Sequence, residues 1–263
     1  MYDHIRPSNS FSDFVELVSI LRKECPWDRK QTHESIKENL IEEAYEAAEA
    51  IEEKDYEELS KELGDLMLHV IFQSKLASEH NAFTIEDVIY RIQEKLIRRH
   101  PHVFDQLDVD DEQKVAENWE KLKMKEGKKS VLEGLPKHLP ALIRAYRMQE
   151  KVSNIGFDWP DENGPWQKLD EEFRELKEAV KQNDNEQIRL EFGDLLFSMV
   201  NLSRFIGVQP EDALRASNAK FERRFRIVEE NVSTSGKALS DFNIDELDAF
   251  WEAAKKQEKS NGQ

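Results

Sequence analysis

Cysteine is almost absent: Cys25 stands alone in 263 residues, so neither an internal disulfide nor a multi-cysteine zinc site can form, and a reducing, cytoplasmic setting is expected. Glycine (9) and proline (8) are scarce, which argues against the many tight turns of a sandwich or barrel. Long apolar runs are missing too. LMLHVIF from Leu66 and LLFSMV from Leu195 fall far short of the roughly 20 residues that cross a bilayer, and the start, MYDHIRPSNSF, does not resemble a signal peptide. Positive charge is in deficit, with 38 Lys and Arg against 55 Asp and Glu for a net charge of −17. That balance weighs against a nucleic-acid binder that works by neutralising phosphates, so an anionic substrate would need a metal. No GxxxxGK[ST] phosphate loop and no GxSxG elbow are present.

Against these absences stand 14 Phe, 5 Trp and 5 Tyr, large groups that need a packed interior and argue against disorder. The pattern predicts a mostly helical protein whose length suits two small domains better than one large one. Phe14, Val15, Val18 and Leu21 mark a helix over 11–23, and a second is predicted over 33–53. A third begins at the N-cap Asp55, carries Leu59, Leu63, Leu66, Met67, Val70 and Ile71 as its apolar face, and continues to about His80. Thr84 with Asp87 starts another that must stop before Pro101. The acidic stretch from Asp105, a helix around Trp119 and a Gly/Pro-containing linker over 128–140 form a connector. Helices follow at 141–153, 165–182, 185–206, 211–232 and 245–259.

The second half repeats the first in residues as well as in pattern. Glu42, Glu43 and Glu46 form EExxE and Glu62 and Asp65 form ExGD; Glu171, Glu172, Glu175, Glu191 and Asp194 repeat all five at an offset of 129. KxxRR occurs at Lys95, Arg98 and Arg99 and again at Lys220, Arg223 and Arg224, and WExxK at Trp119 and Lys123 and at Trp251 and Lys255. The expected organisation is a first repeat over 1–104, a helical connector and linker over 105–140, and a second repeat over 141–263, each an all-α bundle unit.

Acids three apart share a helix face, so Glu43 with Glu46 and Glu62 with Asp65 each present two carboxylates together. If their helices run antiparallel, four converge, and the same holds for Glu172, Glu175, Glu191 and Asp194. Oxygen donors without nitrogen or sulfur suit Mg²⁺ or Mn²⁺ and not zinc. Chance alone supplies about 11 acid pairs at this spacing in so acidic a chain, so one ExxE means little. Repetition in register, and the placement of ExGD inside apolar sequence where an unpaired carboxylate is expensive, raise the signal. The third helix carries a polar stripe, Glu62, Asp65, His69 and Gln73, whose counterpart is Glu191, Asp194, Ser198 and Asn201. All seven histidines precede the second repeat, so chemistry there must run without histidine or cysteine. His69 reads as a packing or hydrogen-bonding residue, and Cys25 as a packed side chain. Phosphate recognition falls to side chains such as Lys220, Arg223 and Arg224 or their first-copy counterparts, and Trp251 either stacks on a base or packs between helices.

EExxE with ExxD on paired helices, the duplication, CPWD at Cys25 and LPALIRAYRMQEKVSNIGFDW from Leu139 closely resemble the MazG family of nucleoside triphosphate pyrophosphohydrolases of the two-repeat type. The resemblance implies an all-α fold, Mg²⁺ dependence, a homodimer, and hydrolysis of NTP to NMP and pyrophosphate with tolerance for several bases. It implies Glu172, Glu175, Glu191 and Asp194 as metal ligands and Lys168, Glu171, Lys220, Arg224 and Trp251 as nucleotide contacts, with activity in the second repeat. Arg223 and Lys255 accompany them on the substrate side. Gln187 and Leu190 depart from the charged residues that some relatives carry there. In this scheme Lys220 and Arg224 stabilise the departing pyrophosphate and Glu171 or Glu172 accepts the proton of the attacking water. The rivals are a non-enzymatic acidic helical scaffold with a structural metal and a phosphohydrolase acting on a non-nucleotide substrate.

Overall fold

A computed structural model describes residues 2, 5–104 and 129–261, with side chains through 258. Every regular element among them is helical. The chain divides into two compact units, Met1–Asp108 and Val109–Gln263. The predicted helix around Trp119, with Lys123, and the acidic stretch from Asp105 lie outside the described residues.

Unit 1 contains α1 (Phe11–Glu24), α2 (Lys37–Glu53), α3 (Tyr56–Glu79), α4 (Ile85–Arg99) and the short α5 (Pro101–Phe104). The predicted starts at Asp55 and Thr84 are present: Asp55 accepts from the backbone N–H groups of Glu57 and Glu58, and Thr84 and Asp87 form a reciprocal capping box. The second helix begins at Lys37, four residues later than its pattern suggested. Thr32 and Ser35 satisfy each other's backbone N–H groups at 3.2 and 2.9 Å, which holds 33–36 in turns instead of helix. The core gathers Val18 from α1, Ile36 from the turn that leads into α2, Ile71, Phe72 and Leu76 from α3, and Ile85 from α4.

Unit 2 contains α6 (Ala141–Ser153), α7 (Asn163–Gln182), α8 (Asn185–Phe205), α9 (Pro210–Thr234) and α10 (Ile244–Asn261). Residues 129–140, the described part of the predicted linker, form turns and loop. Helix α7 starts two residues before the expected position because Pro165 fits its first turn, where a missing N–H costs no intrahelical bond. The pair α9–α10 closes over Val228, Val232 and Ala254, flanked by Phe242, Phe250 and Trp251.

One device in each unit positions the acidic motifs. Lys54 (φ 60) and Asn183 (φ 54) occupy the left-handed region at the ends of α2 and α7. The next residues, Asp55 and Asp184, cap α3 and α8. These two-residue connections fold α2 back on α3, and α7 back on α8, as tight antiparallel hairpins, so EExxE and ExGD meet at nearly equal distances from the turn. The apolar face predicted for α3 proves to be two faces. Ile71 is buried, whereas Leu63, Met67 and Val70 are exposed, and their counterparts on α8, Phe192, Leu196 and Met199, are exposed as well.

Candidate metal centre

In unit 2 the hairpin brings four of the five acids around the fifth, the buried Glu172. Glu172, 4% exposed, lies with Glu191 and Asp194 across the hairpin and with Glu171 and Glu175 along its own helix; in each set the carboxylate oxygens fall within 4.8 Å of one another. Lys168, one turn back on α7, places Nζ 2.8 Å from Glu171 and 2.6 Å from Glu172. The two carboxylates raise the Lys168 ammonium above the ordinary lysine range, and its hydrogen bond holds Glu171 below the ordinary carboxylate range. Gln187 donates to Glu191 at 2.5 Å and orients it. Among the described residues no cation pairs with Glu175, Glu191 or Asp194, so negative charge is concentrated on the solvent-facing side of the cluster.

Unit 1 builds the same hairpin with a different electrostatic balance. Glu43, Glu62 and Asp65 cluster within 4.8 Å. Glu46 stays outside that set of three but adds its negative charge to the surroundings of Glu62. The counterpart of Lys168 is Asn39, and among the described residues no ammonium is ion-paired to these acids. Burial, followed by the Glu43 and Glu46 carboxylates, pushes Glu62 up to about 7, and burial also raises Glu43. His69 stands beside Glu43, but its buried Nδ1 has no hydrogen-bond partner, whereas buried Ser198 takes its place in unit 2. Gln73 is engaged by His33. Exact register places Phe72, a core residue, at the position of Asn201.

The perturbed Glu62 has a measurable consequence for the metal-free protein. Between 4.5 and about 7 the folded carboxyl keeps its proton where the unfolded one has lost it, so ionisation favours the unfolded chain. This contribution to stability is intact below pH 4.5 and is lost as pH rises through 7. Thermal melts with chelator present should therefore show the wild type losing stability relative to Glu62→Gln across that window, and parallel curves would contradict the assignment.

The basic residues expected to meet phosphate are not ion-paired to the five acids. Arg223 and Arg224 instead grip Glu258 of α10 at 3.2 and 2.6 Å, Lys255 pairs with Glu252, and Lys220 is exposed one turn earlier on α9. Trp251 packs against Phe221 with ring centroids 5.1 Å apart, and the Arg224 guanidinium lies 5.9 Å from its ring. Glu258 was not legible as a site residue because its only sequence signal is one more acid in an acidic chain. Cys25 is a half-buried free thiol, and His100 and His102 pair their rings at 5.6 Å.

Fold and cluster together define a class: a duplicated all-α protein in which each unit folds an EExxE helix against an ExGD helix to concentrate hard oxygen donors. Comparison with known proteins makes the assignment particular. Residues 31–104 and 165–228 each match the MazG nucleotide pyrophosphohydrolase domain, so the chain belongs to the MazG family. It is 50% identical over 250 residues to the Thermotoga maritima nucleoside triphosphate pyrophosphohydrolase/pyrophosphatase MazG, covering 92% of this chain and 95% of that protein. It is 38% identical over 242 residues to an Escherichia coli nucleoside triphosphate pyrophosphohydrolase, covering 89% and 91%. A Bacillus subtilis protein, YabN, is 42% identical over 257 residues, which span 95% of this chain and 53% of that longer protein.

Proposed function

We propose that the protein hydrolyses nucleoside triphosphates of several bases to the monophosphate and pyrophosphate, using a divalent ion, Mg²⁺ or alternatively Mn²⁺, held in unit 2. The observation that carries this reading is the convergence of Glu172, Glu191 and Asp194 from two helices to within 4.8 Å, in a chain whose relatives bear that activity in their names. The donor set fits such an ion: every ligand is a carboxylate oxygen, and among the described residues no soft donor joins the cluster and no cation is ion-paired to Glu175, Glu191 or Asp194. When bound, the ion neutralises charge developing on phosphate oxygens and lowers the pKa of a water.

The chain's own residues divide the remaining work. Lys168 pairs with both Glu171 and Glu172 and holds Glu171 below the ordinary carboxylate range, which leaves these two side chains to hold the ion or accept the proton of the attacking water. Glu175 and Asp194, both exposed, face the solvent from which substrate arrives. Lys220 and Arg224 supply charge for the departing pyrophosphate, with Arg223, Lys255 and Trp251 beside them on the α9–α10 pair; Arg224 must exchange Glu258 for phosphate to do so. The exposed stripe Phe192, Leu196 and Met199, repeated as Leu63, Met67 and Val70, supports a homodimer, since isolated units would leave two such faces in water. Two repeats over 1–104 and 141–263 joined through 105–140 account for this duplication. No described helix is long and apolar enough to cross a membrane, and the lone free Cys25 supports a reducing cytoplasm.

Incubation with Mg²⁺ and a panel of ribo- and deoxyribonucleoside triphosphates, with products resolved, tests the proposal. The expected products are NMP and pyrophosphate, with turnover lost on chelation and restored by Mg²⁺ or Mn²⁺. NDP with orthophosphate, or full activity after chelation, would overturn it.

A further inference from the structure

Unit 2 holds a cavity of about 490 Å³ lined by residues of α6 and α8 and of the segment that joins α6 to α7. Helix α8 leads to it directly from the carboxylate cluster. Phe197 and Asn201 lie three and seven positions beyond Asp194 on one side of the helix, which puts Asn201 roughly 10 Å further along the axis, about a nucleoside's length.

The walls are suited to a flat ring with hydrogen-bonding edges. Phe157, Trp159 and Phe197 line the cavity and are 79%, 46% and 43% exposed, so their aromatic faces are only partly covered by protein. Trp159 is nevertheless fixed in place. Gly164 passes beneath it so closely that an added Cβ would sit 2.5 Å from the indole. The preceding Asp158 is ion-paired with Arg204, which also donates to Asn201 Oδ1 at 2.8 Å. Gln149, 5% exposed, donates Nε2 to the Phe197 carbonyl at 2.9 Å; this orients the amide and leaves Oε1 buried with no partner. An unmade buried acceptor is costly unless a donor arrives. Unit 1 has no such construction, because Phe72 and Leu68 stand where Asn201 and Phe197 stand, and Phe72 is part of the core.

We propose that this cavity receives the base of the nucleoside triphosphate, with Gln149 Oε1 accepting an N–H from the base edge and the aromatic side chains stacking on the ring. The inference rests on the carboxylate cluster being the triphosphate site. Each standard base carries an N–H on its pairing edge, so one unpaired acceptor, in a pocket whose Asp158, Arg204 and Asn201 already bond one another, binds several bases with modest discrimination.

Steady-state kinetics with ATP, purine riboside triphosphate, which lacks the amino group, and ribose 5-triphosphate, which lacks the base, test the assignment. In the wild type kcat/KM should fall about tenfold from ATP to purine riboside triphosphate, and Gln149→Leu should remove that difference by raising KM for ATP. Asn201→Phe fills the cavity with the residue that unit 1 already accommodates. It should lower the ratio of kcat/KM for ATP to that for ribose 5-triphosphate about tenfold or more. Equal losses on all three substrates, or none, would overturn the proposal. If Asn201→Phe fails to give a native circular dichroism spectrum, Gln149→Leu decides alone. Should the wild type turn over no triphosphate, the hydrolase reading fails by itself. Calorimetric titration of adenosine into wild type and variants then judges the cavity, and binding unaffected by both substitutions contradicts the proposal.

Discussion

Asp194→Asn is expected to lower turnover about a hundredfold or more, while Asp65→Asn, at the equivalent place in unit 1, should change it by less than about threefold. The larger figure corresponds to roughly 3 kcal/mol of charge stabilisation lost at a metal-dependent centre. Both substitutions replace an exposed carboxylate by an isosteric amide within the ExGD helix of a hairpin, so folding is not the variable. The environments differ. Lys168 is ion-paired with Glu171 and Glu172, whereas Asn39 offers unit 1 no such charge, and Glu62 is pushed up to about 7. Beyond Asp194 the helix opens on Ser198 and Asn201, where unit 1 has His69 and the core residue Phe72. Steady-state rates on folded variants, verified by circular dichroism and thermal melts, check the expectation. Equal losses would mean two working sites, and a larger loss from Asp65→Asn would move the chemistry to unit 1.

The second large effect is expected from Glu172→Gln. This side chain belongs to both acid sets, is buried, and accepts Lys168 Nζ at 2.6 Å. Replacing its carboxylate by an amide removes a ligand and leaves Lys168 with Glu171 alone. The loss in kcat should be at least as large as for Asp194→Asn, on the order of several hundredfold, and the Mg²⁺ concentration giving half-maximal rate should rise. The metal titration separates the roles: a fall in kcat with unchanged metal dependence would make Glu172 the proton acceptor and not a ligand.

How much of this was legible depended on whether the signal was local. Capping by Asp55 and Thr84 and the alternation of apolar residues lie within a few positions of one another, and the helix boundaries followed closely. The five acids stood out because they recur at an offset of 129, which no solvated acidic face requires. Where tertiary partners decide, the pattern was silent. Leu63, Met67 and Val70 carry the same hydropathy as Ile71, and only the packing of α3 against α1 and α4 shows which of them is buried. KxxRR promised phosphate contacts, yet Arg223 and Arg224 meet Glu258, some 35 residues away and indistinguishable from other glutamates in sequence. Gln149 meets Phe197 across 48 positions, and its stranded oxygen has no local signature at all.

Water activated at the unit 2 carboxylates is expected to attack the α-phosphorus of the nucleoside triphosphate, with pyrophosphate as the leaving group. Product identity alone leaves two routes, since attack at the β-phosphorus also yields NMP and pyrophosphate. Turnover of ATP with Mg²⁺ in ¹⁸O-enriched water, followed by mass spectrometry of both products, separates them. The account predicts one ¹⁸O atom in AMP and none in pyrophosphate; label in pyrophosphate with unlabelled AMP would contradict it.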